Sequence, residues 1–267
     1  MGRSPTRGLN NRLVVVTGAS SGIGAATARG AAAAGADLVL VARRQEMLEQ
    51  VAEQVRTWGR TATVLPLDLR DDRATRAAAE QIRSDRLPDV VIANAGHSIA
   101  RSVLDCVRRP DSYQRTVAVN YLGAVAFLSA FLPGMVERGR GTIVGVTTIN
   151  ARVPAPGWAP YCASKAAFDA WLRCAQAELR PFGVRTSMVA LPLVDTEMVR
   201  PVYGDRPALA MSAERAARMV LRAASDAPPR VCPWWTAPLE IATAAAPTTS
   251  ARLLGWASGL QQAGRRR

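Results

Sequence analysis

Short apolar runs alternate along the chain with longer stretches in which apolar residues recur at helical spacing. The apolar runs fall at Leu13–Val16, Leu38–Val41, Thr63–Leu67, Val90–Ala93, Thr142–Val146, Thr186–Ala190 and, briefly, near Val231. Most are apolar throughout rather than alternating, which is the pattern of parallel strands buried on both faces. Helices are predicted over residues 23–34, 45–58, 72–84, 112–138, 160–180 and 212–224. Strand and helix in turn predict an α/β protein: one doubly wound, seven-stranded parallel sheet with helices on both faces.

Length and composition bound this picture without changing it. A chain of 267 residues has room for one large domain, and no linker-like stretch divides it. Residues 1–10 read as a flexible basic N-terminus, 11–231 as the α/β domain, and 232–267 as an apolar, Trp-containing extension ending in a basic tail. No apolar run reaches the roughly 18 residues of a membrane span. Met1 to Asn10 carries no apolar core of a secretory signal, and the dispersed Cys106, Cys162, Cys174 and Cys232 suit a reducing compartment. No metal site is expected, and the expected location is cytoplasmic.

The net charge of +13 raises nucleic-acid binding as an option. The arginines are spread along the chain without a dense stripe, so a solvated surface is expected and no nucleic-acid partner. Of the 34 basic residues, 33 are Arg and one is Lys165. His97 is the single histidine.

The first strand runs into Thr17-Gly18-Ala19-Ser20-Ser21-Gly22-Ile23-Gly24 and then a helix. Glycine suits a turn that needs positive φ and close approach to a pyrophosphate, and the helix N-terminus offers free N–H groups. Tyr161 and Lys165 are four residues apart and share a helix face. An ammonium beside a phenol favours the phenolate and lowers its pKa. At the end of the second strand stands Val41-Ala42-Arg43-Arg44, with no acid to bond a ribose diol. Two guanidiniums there suit a 2′-phosphate, although two surface arginines in an Arg-rich chain are the plain alternative.

Together these motifs resemble the short-chain dehydrogenase/reductase family, whose domain is Rossmann-like. The resemblance rests on the T-G-x-x-x-G-x-G loop, Asn94-Ala95-Gly96, Asn120, Tyr161-Cys162-Ala163-Ser164-Lys165 and Pro192-Leu193-Val194-Asp195-Thr196, and covers residues 13 to about 231. It implies catalytic roles for Tyr161, Lys165, Thr148 and Asn120. It implies cofactor contacts by Gly18, Ser20, Ser21, Gly22, Ile23, Gly24, Arg43, Arg44, Asp68, Leu69, Asn94, Ala95, Gly96, Tyr161, Lys165, Val194 and Thr196. The cofactor expected is NADP(H). Two departures stand out: Thr148 where the family carries Ser, and Leu193 where it carries Gly. Asn120 is expected to support a water relay to Lys165 or to be a satisfied buried amide. His97 is expected on a loop or pocket wall.

The resemblance implies interconversion of a ketone or aldehyde and an alcohol. Alternatives are a natural-product tailoring role, as ketoreductase, cyclase or isomerase, and a non-catalytic cofactor-binding regulator. The segments at 94–99, 132–135 and 191–198 are similar to the branch with bacterial fatty acyl-CoA and long-chain aldehyde reductases, which implies a lipophilic small-molecule substrate. Met198, Val199, Val202, Tyr203, Leu209 and Met211 suit a flexible apolar lid. A homodimer or homotetramer built on the helices at 112–138 and 160–180 is implied. The extension, with Trp234, Trp235 and Trp256, is a candidate for peripheral membrane contact or for packing on the domain or a partner subunit.

Overall fold

The computed structural model describes residues 7–205 and 209–265. Residues 1–6 of the basic N-terminus and residues 266 and 267 of the basic tail lie outside the described residues. Seven parallel strands form one sheet in the order β3-β2-β1-β4-β5-β6-β7. They are β1 (Leu13–Thr17), β2 (Asp37–Ala42), β3 (Ala62–Pro66), β4 (Val90–Ala93), β5 (Gly141–Thr148), β6 (Val184–Leu191) and β7 (Arg230–Val231). Each overlaps its predicted run. β5 and β6 are longer than the apolar cores of their runs, because Thr147 and Thr148 extend the ladder to Ala190 and Leu191.

The helices are α1 (Gly22–Ala33), α2 (Gln45–Arg56), α3 (Asp72–Asp85), α4 (Val103–Arg108), α5 (Asp111–Val117), α6 (Ala124–Ser129), α7 (Leu132–Glu137), α8 (Ala159–Leu179), α9 (Arg200–Tyr203), α10 (Ala213–Asp226), α11 (Thr236–Ala245) and α12 (Pro247–Arg265). Alternate residues of β1 enter opposite cores. Val14 and Val16 pack with Ala25 and Ala28 of α1 and Val220 of α10. Val15 packs with Phe127, Phe131, Phe168 and Leu172 on the other face. The period of two in a strand thus divides one apolar run between two layers.

The helix predicted over 112–138 is a correction. A π-helical turn, Ala118–Gly123, joins α5 to α6, and the chain breaks again before α7, where Pro133 sits in the first turn. Proline fits a first turn, where its missing N–H is not needed, and not an interior. The π turn carries Asn120 fully buried. Its partners at His97 and Ser164 are distant in sequence, so local propensity did not register it. α4 was also not predicted; its Val103, Leu104 and Val107 are exposed, so it carries no core-facing stripe.

Among the described residues no helix is long and apolar enough to cross a membrane. The C-terminal extension is helical as α11 and α12. It is fixed through charge: Glu240 of α11 binds Arg230 of β7 and lies 3.4 Å from Arg152. Trp234, Ile241, Leu253 and Trp256 face outward.

Candidate active site

The order of strands reverses between β1 and β4, and an open α/β sheet forms its ligand crevice at such a point, beyond the strand C-termini. A cleft of about 410 Å³ lies there, lined by Gly18, Ser20, Ser21, Gly22, Ile23, Arg43, Arg44, Asp68, Leu69, Asn94, Ala95, Gly96 and Thr196 among others. Each of these is a residue that the sequence motifs mark as a cofactor contact.

Thr17 ties the floor together. Its Oγ1 accepts the backbone N–H groups of Asn94 and Ala95, both at 3.0 Å, and Asn94 Nδ2 donates to the Thr17 carbonyl at 3.0 Å. The ends of β1 and β4 are therefore locked side by side. Gly18 has φ +68°, and a Cβ there would come within 2.8 Å of the Ala95 Cα. Gly24 does not line the cleft; a side chain there would collide with the Gly18 carbonyl, so it sets how closely α1 approaches the loop. Ser21, the residue capping α1, makes no side-chain cap bond. The first-turn N–H groups of α1 thus have no side-chain acceptor there and suit an anion. The donor set, the positive helix end and the glycine cradle fit a dinucleotide phosphate.

The two arginines after β2 differ. Arg44 donates to Ser21 Oγ at 2.8 Å, more weakly to Ser20 Oγ at 3.4 Å, and pairs with Glu197 at 3.1 Å. Arg43 is exposed on the cleft wall. Asp68 is gripped by Arg70, whose Nε donates to both carboxylate oxygens at 3.0 Å. These hydrogen bonds, against the effect of burial, hold the Asp68 carboxyl below its usual range, with the Arg43 charge a smaller contribution.

A second cavity of about 160 Å³ adjoins the cleft and shares Ile23, Asn94, Gly96, Thr196 and Met198 with it. Thr148, Tyr161, Lys165 and Val194 meet here. Thr148 ends β5, and Tyr161 and Lys165 lie on the first turns of α8, which packs on that strand. Tyr161 and Thr148 face the same cavity, and the Thr148 hydroxyl is near enough to act on the phenol. Burial pushes the Tyr161 phenol up to about 12, with the nearby Thr148 hydroxyl pulling the other way. Lys165 Nζ donates to the Val146 carbonyl at 2.9 Å, and burial pulls its pKa down to about 8. The expected lowering of the Tyr161 pKa by Lys165 is corrected: desolvation dominates both groups and moves both toward the neutral form. Thr147 Oγ1 is committed to the Val189 carbonyl at 3.3 Å.

Asn120 lines neither cavity. Its Nδ2 donates to the His97 carbonyl at 2.8 Å and to Ser164 Oγ at 2.9 Å, and its Oδ1 accepts the His97 N–H at 2.7 Å. Both amide hydrogens are spent, which leaves one acceptor lone pair for any relay. The buried, satisfied amide is what this geometry realises, and it fixes the peptide of residue 97 beside Gly96. The His97 ring lines the cleft and not the smaller cavity. Burial lowers its pKa, with Arg115, Arg43 and Arg70 adding to the effect.

Arg70, Arg115 and Glu197 in the cleft, and Asn150 and Trp158 in the smaller cavity, were not singled out as site residues. Trp158 stacks on Tyr203 at 5.9 Å between ring centroids and meets Tyr161 edge-on at 6.2 Å. Of the expected lid residues, Met198, Val199 and Tyr203 line the cavity. Val202, Leu209 and Met211 do not. Met211 instead closes the base of the loop, donating to the Leu193 carbonyl and accepting the Asp195 N–H, both at 2.9 Å.

The short chain dehydrogenase family model matches residues 12–207. The chain is 43% identical over 214 residues to an uncharacterized oxidoreductase of Mycobacterium tuberculosis, an alignment with 78% of this chain and 63% of that protein. It therefore spans less than two-thirds of that relative's length. It is 37% identical over 225 residues to a fatty acyl-CoA reductase of Acinetobacter baylyi, covering 84% of this chain and 76% of that one. A short chain dehydrogenase of Burkholderia cenocepacia solved in complex with NADP superposes with a TM-score of 0.79 at 27% identity, covering 92% of this chain and 98% of that one. The chain belongs to the short-chain dehydrogenase/reductase family.

Proposed function

We propose that this protein is an NADP(H)-dependent oxidoreductase that interconverts a lipophilic aldehyde or ketone and the corresponding alcohol. The observation that carries this reading is that Thr148, Tyr161 and Lys165 line one small cavity that adjoins the glycine-lined cleft. The cofactor, when bound, supplies or accepts a hydride. Gly18, Ser20, Ser21, Gly22 and the first turn of α1 would hold its pyrophosphate, and Arg43 with Arg44 its 2′-phosphate. The site chemistry otherwise belongs to this chain. The phenol of Tyr161 stays protonated across the neutral range and is available to give a proton to a carbonyl oxygen. Thr148 orients that oxygen by its hydroxyl. Lys165, three donors on one flexible stem, one of them on the Val146 carbonyl, would hold ribose hydroxyls of the bound cofactor and stabilise the phenolate left after transfer.

Trp158, Tyr203, Met198 and Val199 supply the apolar wall that supports a lipophilic substrate, as does the kinship with a fatty acyl-CoA reductase. Activity should be measured across aldehydes and ketones of increasing chain length, with NADPH and NADH compared. The expected outcome is a preference for NADPH and a kcat/KM that rises with length, up to ~0.8 kcal/mol for each buried methylene. A flat trend overturns the lipophilic reading, and no turnover across the panel favours a non-redox role.

Four free cysteines support a reducing, cytoplasmic location. The family resemblance supports a homodimer or homotetramer, to be tested by light scattering. The division at residue 231 and the outward Trp234, Ile241 and Trp256 support an extension that touches a lipid surface. Vesicle co-sedimentation of the full chain, lost on Trp234→Ala and Trp256→Ala, tests that contact.

A further inference from the structure

A cavity of about 390 Å³ opens among the N-terminal ends of β1, β4, β5 and β6, the end of the sheet opposite the cofactor cleft. Five guanidiniums, those of Arg12, Arg86, Arg138, Arg140 and Arg185, line it against one carboxylate, Asp89.

That carboxylate is already shared. Asp89 accepts the Leu13 N–H at 3.0 Å and lies 3.5 Å from both Arg86 and Arg138. Arg86 also lies 3.6 Å from Asp37, and Arg138 is held by the carbonyls of Leu87, Pro88 and Arg140 at 3.1, 2.7 and 3.1 Å. Arg185 reaches the Thr142 hydroxyl at 3.3 Å and the Asp226 carbonyl at 3.4 Å. The guanidiniums of Arg12 and Arg140 make no hydrogen bond or ion pair among the described residues. Burial lowers the Arg138 pKa; Asp89 opposes this, and the Arg140 and Arg86 charges add to it. The cavity thus concentrates positive charge that its own carboxylate does not balance.

The remaining lining comes from Asn11, Gly141, Thr142 and Gly183. With no aromatic or aliphatic side chain, it offers nothing to a nucleobase or an acyl chain. Guanidinium forks match phosphate oxygens in bidentate fashion, and their number suits more than one phosphate. We propose that this cavity binds a compact soluble polyanion of the diphosphate class, separate from the cofactor cleft.

Inorganic pyrophosphate is the probe. It is titrated calorimetrically into the full chain at fixed ionic strength, alone and with saturating NADP+. The expected result is saturable binding that NADP+ does not displace and that R12Q/R140Q weakens at least tenfold. Those two side chains hold no carbonyl or carboxylate among the described residues, so the fold, followed by circular dichroism, should be unaffected. R12K/R140K keeps the charge without the fork and should lie between the two. Absence of saturable binding overturns the proposal. So does binding that NADP+ displaces and the arginine variants leave unchanged, which would place pyrophosphate in the cofactor cleft. Co-sedimentation with phosphatidic-acid vesicles through Arg12 and Arg140, without pyrophosphate binding, also overturns it, in favour of a lipid headgroup. The arginine variants are informative whether or not NADP+ proves to be the cofactor.

Discussion

Arg44 and Glu197, 153 residues apart in sequence, form an ion pair of 3.1 Å across the cofactor cleft. Arg44 follows β2 and also holds Ser21, whereas Glu197 belongs to the loop after β6 whose Thr196, Met198 and Val199 line the smaller cavity. The pair therefore ties the proposed 2′-phosphate reader to the proposed substrate loop. Both side chains are about half exposed, at 48% and 53%, so the bond is weak, about 0.2–1 kcal/mol. Glu197→Gln should free Arg44 and remove a negative charge facing the phosphate. The KM for NADPH should fall by a factor of about 1.4 to 5, the range that energy spans, with the KM for NADH unchanged. Arg43→Ala and Arg44→Ala should raise the KM for NADPH and not that for NADH. Equal effects on both cofactors would remove the 2′-phosphate assignment.

What was legible in advance was what is local. The loop at 17–24, the arginines after β2 and the Tyr161/Lys165 spacing each lie within one turn or one helix, so a single stretch of sequence carries the chemistry. Glu197 was not legible as a partner of Arg44, because only the return of β6 to the sheet brings them together. Arg70 was not legible as the residue that grips Asp68, since an arginine two residues on has no fixed direction until the loop is built. The π turn around Asn120 depends on the His97 peptide and on Ser164. The apolar pattern established the sheet and its helices, and it could not register a helix broken to satisfy a buried amide.

The placement of Thr148 and Tyr161 in one small cavity supplies three linked expectations. Tyr161→Phe should retain the fold and cofactor binding and lose about 10²–10⁴-fold in kcat, the usual contribution of a positioned acid. Thr148→Val should cost on the order of 10²-fold, as for the loss of one oxyanion donor. Thr148→Ser keeps the hydroxyl and should stay active. Thr147 is not a substitute, because its hydroxyl already bonds the Val189 carbonyl. Steady-state kinetics on the best aldehyde of the panel checks all three, and full activity of the Val variant would remove Thr148 from the mechanism.

Lys165 is the only lysine, so its titration has no competing lysine. Its native pKa is about 8 against an ordinary 10.5. Between these values the unfolded chain binds a proton that the native chain does not, so stability rises with pH over this window. The stabilisation is fully present only above the unfolded value, and it is lost as pH falls through the native one. Tyr161 has the opposite sign. Its native pKa is about 12 against 10.0, so the native chain keeps a proton that the unfolded chain gives up, and stability falls as pH rises above 10. The urea midpoint should therefore climb from about pH 8 to 10 and then turn down. Lys165→Met should flatten the climb, and Tyr161→Phe should reduce the downturn. The difference between wild type and variant isolates each group from other titrations.

Glu240 joins the C-terminal extension to the strand that carries Thr148. Its carboxylate binds both terminal nitrogens of Arg230 and lies 3.4 Å from Arg152 Nη1. Arg152 follows the turn after Thr148 and also meets the buried Asp169 at 3.3 Å. The glutamate side chain is only 10% exposed, while Arg230 and Arg152 are 22% and 32% exposed. Removing one partner of a buried pair leaves the other charge uncompensated, at about 3–5 kcal/mol when burial is complete. Partial solvent access to the two arginines puts Glu240→Ala below that range, at roughly 2 kcal/mol. For a domain of this size that lowers Tm by on the order of 4–8 °C. Glu240→Gln keeps the shape and one acceptor and should lose less. Because Arg152 also holds Asp169, the loosened turn should lower kcat severalfold through Thr148 while leaving the KM for NADPH unchanged. Scanning calorimetry and steady-state kinetics on both variants check this. An unchanged Tm would mean that the extension is held by its apolar contacts alone, and a change confined to the NADPH KM would break the link to Thr148.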